Sequence, residues 1–195
     1  MRMPMPEHEL ILGGQKSGKS RRAEQRATDW LGEAPATRRA VLVATGQAHD
    51  EEMRERIARH QADRAQRVPA MRTVEEPIEL AREIVNRSAA DTLVVVDCLT
   101  LWLTNLLMPP QSESARPATH TPSAHIAMLI VALREARGPV VLVGNEIGLG
   151  VIPLGGETRA FVDALGRLNQ DVAGACGRVT LMVAGLPLTL KAPTA

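Results

Sequence analysis

The run Gly13-Gly14-Gln15-Lys16-Ser17-Gly18-Lys19-Ser20 spells G-x-x-x-x-G-K-S directly behind the apolar triplet Leu10-Ile11-Leu12. In this pattern the glycines let the backbone turn tightly, so that successive N–H groups and the start of the following helix converge on phosphate oxygens. Lys19 has the reach for the β- and γ-phosphates, and the Ser20 hydroxyl can ligand a magnesium ion. A glycine turn that merely caps a helix carries similar letters. The strand-like run before the motif and the helical stretch Arg21–Leu31 after it favour binding of a nucleoside triphosphate.

Three further positions carry chemistry at a suggestive spacing. Asp97 ends the run Leu93-Val94-Val95-Val96, where a carboxylate at a strand end can hold the hydration shell of a magnesium ion beside Ser20. In the stretch Asp50–Ala65, Met53, Ile57 and His60 fall at i, i+4 and i+7, so one helical face bears two apolar residues and an imidazole. Arg56 and Arg64 lie four residues to either side of His60 and offer positive charge to a phosphate. From periodicity alone, a boundary histidine between solvated arginines fits this stretch better than a nucleophile does. Asn145 and Glu146, in a glycine-rich exit from a strand, either orient a substrate or metal-bound water or simply shape a turn.

Composition narrows the functional classes. The 195 residues carry a net charge of +1, no Tyr, one Phe and two Trp, which disfavours nucleic acid as a partner, since a basic footprint is absent and aromatics for base stacking are few. The two cysteines, Cys98 and Cys176, have no metal-ligand spacing; Cys98, behind an apolar strand, reads as a core thiol, and no disulfide is expected. No segment approaches the roughly 20 apolar residues of a membrane span, and the first residues lack the apolar stretch of a signal peptide, so a cytoplasmic location is expected.

Elements able to position these residues follow from apolar runs of strand length, with helical stretches between them. Strands are expected at Glu9–Leu12, Ala40–Thr45, Thr92–Asp97, Val140–Asn145 and Val179–Ala184, with a last one at Leu188–Lys191. Helices are expected at Ser20–Leu31, Asp50–Ala65, Ile78–Arg87, Ser123–Ala136 and Thr158–Ala173. Continuous Val/Leu runs are the mark of strands covered on both faces. The alternation implies one α/β domain over residues 1–195, a P-loop NTPase-like three-layer sandwich on a mostly parallel sheet, with ligands outside the carboxyl ends of the strands. Pro109–Ser123, rich in Pro, Ser and Thr, reads as a flexible loop, either a mobile connection or a lid.

Taken in order, these pieces resemble one family. The loop GGxxSGKS is followed by Ala44-Thr45, by Asp50-Glu51-Glu52 leading into RIxxHxxxR (Arg56, Ile57, His60, Arg64), and by Arg72-Thr73-Val74-Glu75. Asp97-Cys98-Leu99-Thr100, Thr104-Asn105-Leu106, NExGxGxxP from Asn145 and GRxNQ from Gly166 to Gln170 complete the series. The sequence resembles the bifunctional adenosylcobinamide kinase / adenosylcobinamide-phosphate guanylyltransferase family over about Glu9 to Lys191, nearly its whole length.

That resemblance reverses the reading of His60: it implies a nucleophile that carries GMP from GTP as a phosphoramidate and passes it to adenosylcobinamide phosphate, giving adenosyl-GDP-cobinamide. It also implies phosphorylation of adenosylcobinamide by ATP or GTP at the loop, with Lys19 catalytic and magnesium on Ser20 and Asp97. The resemblance further implies nucleotide contacts from Gly13 to Ser20, Ala44, Thr45, Gly46, Gln61, Ala62, Asp63, Arg64, Glu75 and Asp97, and assembly as a homotrimer. Two rival readings remain at this level, a plain small-molecule kinase with His60 structural and a nucleotide-dependent switch. The switch lacks its guanine-recognition motif, because no lysine follows Asn86, Asn105, Asn145 or Asn169.

Overall fold

The computed structural model describes residues 7–48, 50–108 and 120–193. In chain order the elements are β1 (Glu9–Gly13), α1 (Lys19–Glu33), β2 (Arg39–Ala44), α2 (Glu51–Arg67), β3 (Arg72–Glu75), α3 (Leu80–Arg87) and β4 (Thr92–Asp97). They continue with α4 (Leu99–Leu107), α5 (Pro122–Glu135), β5 (Val140–Val143), α6 (Gly156–Ala175), β6 (Arg178–Val183) and β7 (Leu186–Lys191). The strands form one seven-stranded sheet in the order β3-β2-β4-β5-β1-β6-β7. All neighbours run parallel except β7, which returns antiparallel on β6. The sheet is therefore mostly parallel and sandwiched between helices, as the sequence implied.

Side-chain alternation splits the core into two layers, because successive residues of a strand face opposite sides of the sheet. Leu10, Leu12, Val94, Val96, Val140 and Leu142 pack with α3, α4, α5 and α6 on one face. Ile11, Leu93, Val95, Val141 and Val143 pack with Ala23 and Ala27 of α1 on the other. Both layers being apolar explains the unbroken Val/Leu runs.

Two elements escape the sequence reading. β3 is a half-exposed edge strand with Arg72 and Thr73 facing solvent, so no apolar run announces it. α4 reads LTLWLTNLL, apolar on nearly every side, and so lacks the amphipathic period by which a helix is recognised. It is buried beneath α5 and α6, with Trp102 fully covered and its indole N–H donated to the Ile78 carbonyl at 2.8 Å. At the far end of the Pro109–Ser123 segment, α5 begins one residue before Ser123, on Pro122 behind a Thr121 cap. Residues 109–119 of that segment lie outside the described residues.

At the opposite end of the sheet from the loop, His8 ties three elements together. Its Nε2 bonds the Leu133 carbonyl at 2.7 Å and its Nδ1 accepts from the Val140 N–H at 3.1 Å, which requires a neutral ring. Burial pushes the His8 imidazole below its usual range, only partly offset by the Leu133 bond. The unfolded chain takes up a proton at this residue near pH 6.5 and the folded chain resists it, so stability is lost as pH falls below that value. Denaturant midpoints should therefore drop between about pH 7 and 5, and His8→Gln, which keeps one donor and one acceptor, should flatten that slope. An unchanged slope in the variant would rule His8 out as its source.

Candidate functional site

The glycine-rich loop leaves β1 at Gly13, whose φ of 153° and crowding leave no room for a side chain: a Cβ there would lie 2.5 Å from the Met182 carbonyl oxygen. Lys16 and Gly18 also have positive φ, 55° and 99°, and Gly18 caps α1 without a side chain. The turn is braced from outside by the β6–β7 hairpin, where the Gly185 N–H donates to the Ser17 carbonyl at 3.1 Å. Gly14, Gln15 and Lys16 are exposed at the tip, while Ser17 and Lys19 are buried. Lys19 Nζ donates to the Gly14 carbonyl at 2.6 Å, curling over the loop's concave side. Desolvation holds its ammonium below the usual lysine range, with Cys98 and Asp97 opposing that shift and Arg56 adding to it.

A cleft beside the loop is lined by Ser20, Ala44, Gly46, Glu75 and Asp97 from the sheet side, and by Met53, Arg56, Ile57, His60, Gln61 and Arg64 from α2. It holds about 110 Å³, small beside the ~300–1,000 Å³ of ordinary ligand sites. A whole nucleotide would extend from it over the exposed loop tip. Helix α2 is set there by few contacts. Asp50 caps it, accepting from the Met53 N–H at 2.7 Å, Met53 and Ile57 are half-buried, and near its end Arg67 pairs with the buried Glu24 of α1 at 2.9 Å. Arg64 is the buried residue of the helix, 8% exposed, and among the described residues its guanidinium has no ion pair. Arg64 and Arg56 both line the cleft, so an anion bound there would meet positive charge from α2.

The sequence-singled residues divide in the structure. Ser20, Ala44, Gly46, His60, Gln61, Arg64, Glu75 and Asp97 meet in the cleft, with Gln61 Nε2 donating to Glu75 Oε1 at 3.4 Å. Ala62 faces away and Asp63 is held by Arg67 at 3.1 Å. Thr45 is fully buried, and its polar groups are all spent inside the protein. Its hydroxyl donates to the Cys98 carbonyl at 2.7 Å and accepts from the Cys98 N–H at 2.9 Å, and its own N–H reaches the Asp97 carbonyl at 3.2 Å. Cys98, beside it, is an inert buried thiol, pushed up to about 11 by burial and by Asp97.

Other motif residues, which the sequence marked without a role, turn out to pin strand ends together. Asn105 of α4 donates to the Thr45 carbonyl at 2.8 Å and to the Pro77 carbonyl at 3.1 Å, clamping the ends of β2 and β3. Thr100 accepts from the Asn145 N–H at 2.9 Å, and Asn169 of α6 donates to the Asn145 carbonyl at 3.1 Å. The Glu146 N–H donates to the Gly13 carbonyl at 3.1 Å, seating the β5 exit against the loop. Only their pairing across 24 to 60 residues reveals the function of Asn105 and Asn169, and no local pattern carries it.

A family model described as cobinamide kinase / cobinamide phosphate guanyltransferase matches residues 9–190. The bifunctional adenosylcobalamin biosynthesis protein CobP of Pseudomonas aeruginosa is 45% identical over 186 residues, covering 94% of this chain and 96% of that protein. The CobU protein of the same description from Salmonella typhimurium is 35% identical over 189 residues, covering 93% and 98%. Among solved structures, the flagellar accessory protein FlaH from Methanocaldococcus jannaschii superposes with a TM-score of 0.50 at 11% identity, covering 98% of this chain and 80% of that one, a likeness of fold alone.

Replacing Asn105 with alanine should leave the Thr45 and Pro77 carbonyls without a donor and cost roughly 2–3 kcal/mol in urea unfolding. A loss below about 0.5 kcal/mol, the range of an ordinary surface change, would show that the clamp contributes nothing.

Proposed function

Because the chain belongs to the cobinamide kinase / cobinamide phosphate guanyltransferase family, we propose that it performs both reactions at the loop and its adjoining cleft, with His60 carrying the guanylyl group. One observation supports this above the rest: His60, with Arg56 and Arg64, lines the same cleft as Ser20 and Asp97. A plain kinase or a nucleotide switch has no need of an imidazole at its phosphate site, and the family match disfavours both.

In the kinase half, the γ-phosphoryl group of ATP or GTP passes to the hydroxyl of the aminopropanol arm of adenosylcobinamide. The O–P bond to the acceptor forms as the β–γ bridge breaks, the nucleoside diphosphate leaves and the hydroxyl proton is released to solvent. Loop amides from Gly14 to Ser20 stabilise the spreading charge, and Lys19 turns its donation from the Gly14 carbonyl to the phosphates. Ser20 and Asp97, a hydroxyl and a carboxylate that share the cleft, would hold a magnesium ion there. Such a set suits an ion that keeps its waters and binds through substrate phosphates. When bound, magnesium neutralises the β- and γ-oxygens.

In the guanylyl half, an imidazole nitrogen of His60 attacks the α-phosphorus of GTP, the P–N bond forms, the α–β bridge breaks and pyrophosphate leaves. A phosphate oxygen of adenosylcobinamide phosphate then attacks the same phosphorus and frees His60, giving adenosyl-GDP-cobinamide. Arg56 and Arg64 neutralise the phosphate during both displacements. Glu75, held by Gln61, offers a carboxylate to the N–H edge of guanine near Ala44 and Gly46. Thr45 enters this reading through its backbone position, and Ala62 and Asp63 through the helical turn that presents Gln61 and Arg64.

Assembly as a homotrimer belongs to the same reading and would appear as three times the chain mass in light scattering. No described helix is long and apolar enough to cross a membrane, and the cytoplasm, where nucleoside triphosphates are supplied, is the location the reading implies.

Incubation with α-³²P GTP and magnesium should give a protein-bound label that acid removes and alkali spares, absent from His60→Ala. Persistence of the label in that variant would move the nucleophile elsewhere. No label in the wild-type chain, with cobinamide still phosphorylated, would reduce the protein to a kinase.

A further inference from the structure

The β5 exit runs as the segment 146–154 over the first half of α6 and encloses a second cleft of about 540 Å³, within the ~300–1,000 Å³ range of ligand sites. Its walls are Ile147, Val151 and Ile152 from the segment and Val162, Gly166 and Gln170 from α6. Leu149, Val151, Ile152 and Leu154 are 77–98% exposed, an apolar cluster that folding leaves uncovered. The segment is nevertheless held in place. Glu146 Oε1 accepts from the Gly148 N–H at 3.0 Å, and Arg159 Nη1 donates to the Pro153 and Leu154 carbonyls at 2.9 and 2.5 Å.

Gly166 makes an independent observation. It sits in the middle of α6, where glycine weakens a helix relative to alanine. A Cβ built on it meets nothing within 4 Å, so no neighbour in the protein demands its absence. The bare backbone faces the cleft, where a bulky group can lie flat against the helix. Around it Asp163, Arg167 and Gln170 offer exposed donors and acceptors at one-turn spacing.

Position selects the occupant. The nucleotide cleft lies on the α1/α2 side of the sheet ends, whereas α6 belongs to the opposite layer. The β5 exit lies beside the loop in the sheet order, and the Glu146–Gly13 bond joins the start of the segment to it. A phosphoryl acceptor can therefore approach the loop from the α6 side without displacing His60 or the nucleotide. We infer that the cleft between segment 146–154 and α6 binds the corrinoid acceptor, its apolar ring face on Val151, Ile152 and Gly166 and its peripheral amides on Asp163, Arg167 and Gln170. This rests on the cobinamide kinase reading and adds the acceptor's place to it.

The test uses the full chain and adenosylcobinamide, with three readouts: KM for the corrinoid in the kinase reaction, labelling by α-³²P GTP, and mass in solution. Val151→Asp should raise the corrinoid KM tenfold or more and leave the GTP label and the mass unchanged. Gly166→Ala should raise Tm, as the helix gains a better former, yet raise the corrinoid KM several-fold. Gly174→Ala, near the end of the same helix and also facing open space, should leave that KM unchanged. Corrinoid KM within twofold of wild type in both cleft variants would overturn the inference while the kinase reading stands. A changed mass in either variant would assign the face to contact between copies and overturn it as well. A wild-type chain that phosphorylates no cobinamide would instead remove the reading beneath it.

Discussion

Every strand of a parallel sheet must hand its last backbone N–H and C=O groups to some partner when it leaves the ladder, and here buried side chains take them. Asn105 closes the ends of β2 and β3, the Thr45 hydroxyl holds the β4 exit at Cys98, and Thr100 with Asn169 holds the β5 exit at Asn145. These bonds bring four loops to one rim with defined spacing. Without them the carboxylate of Asp97, the loop serine and the exit bearing Glu146 would have no fixed relation to one another. Because each partner is buried, an unmade bond here costs more than the same bond at the surface.

The phosphate loop is held from outside in a complementary way. The β6–β7 hairpin presses its turn against Ser17 and Gly18, and Met182 closes the space over Gly13. The antiparallel return of β7 thereby becomes part of the site even though no β7 residue lines the cleft. Lys19 is kept buried on the concave side, where desolvation raises the energy of its charge and a phosphate has most to offer it.

Helix α2 contrasts with this rigidity. It contributes little to either core layer, and the ion pair of Arg67 with Glu24 fastens its far end, so its position over the cleft is set by few contacts. What it presents is chemical: an imidazole flanked along the helix by two guanidinium groups, all three lining the cleft. The sheet ends supply fixed geometry, and the helix lays His60, Arg56 and Arg64 along the cleft beside them.

Much of this was legible in the sequence, because some signals are local. The phosphate loop needs only eight consecutive residues, and the buried strands needed only their apolar runs, so Gly13–Ser20, β1, β2, β4, β5 and β6 could be read directly. The family motifs marked His60 where helical periodicity by itself favoured a bystander. The edge strand β3 and the all-apolar helix α4 were not legible, since one lacks a continuous apolar run and the other an amphipathic period. The linear sequence determined which groups this protein has for phosphate chemistry. Tertiary structure alone decided which meet: Asn105 and Thr45 are 60 residues apart in sequence, Glu146 and Gly13 far more, and only closure of the sheet brings such pairs within hydrogen-bond distance.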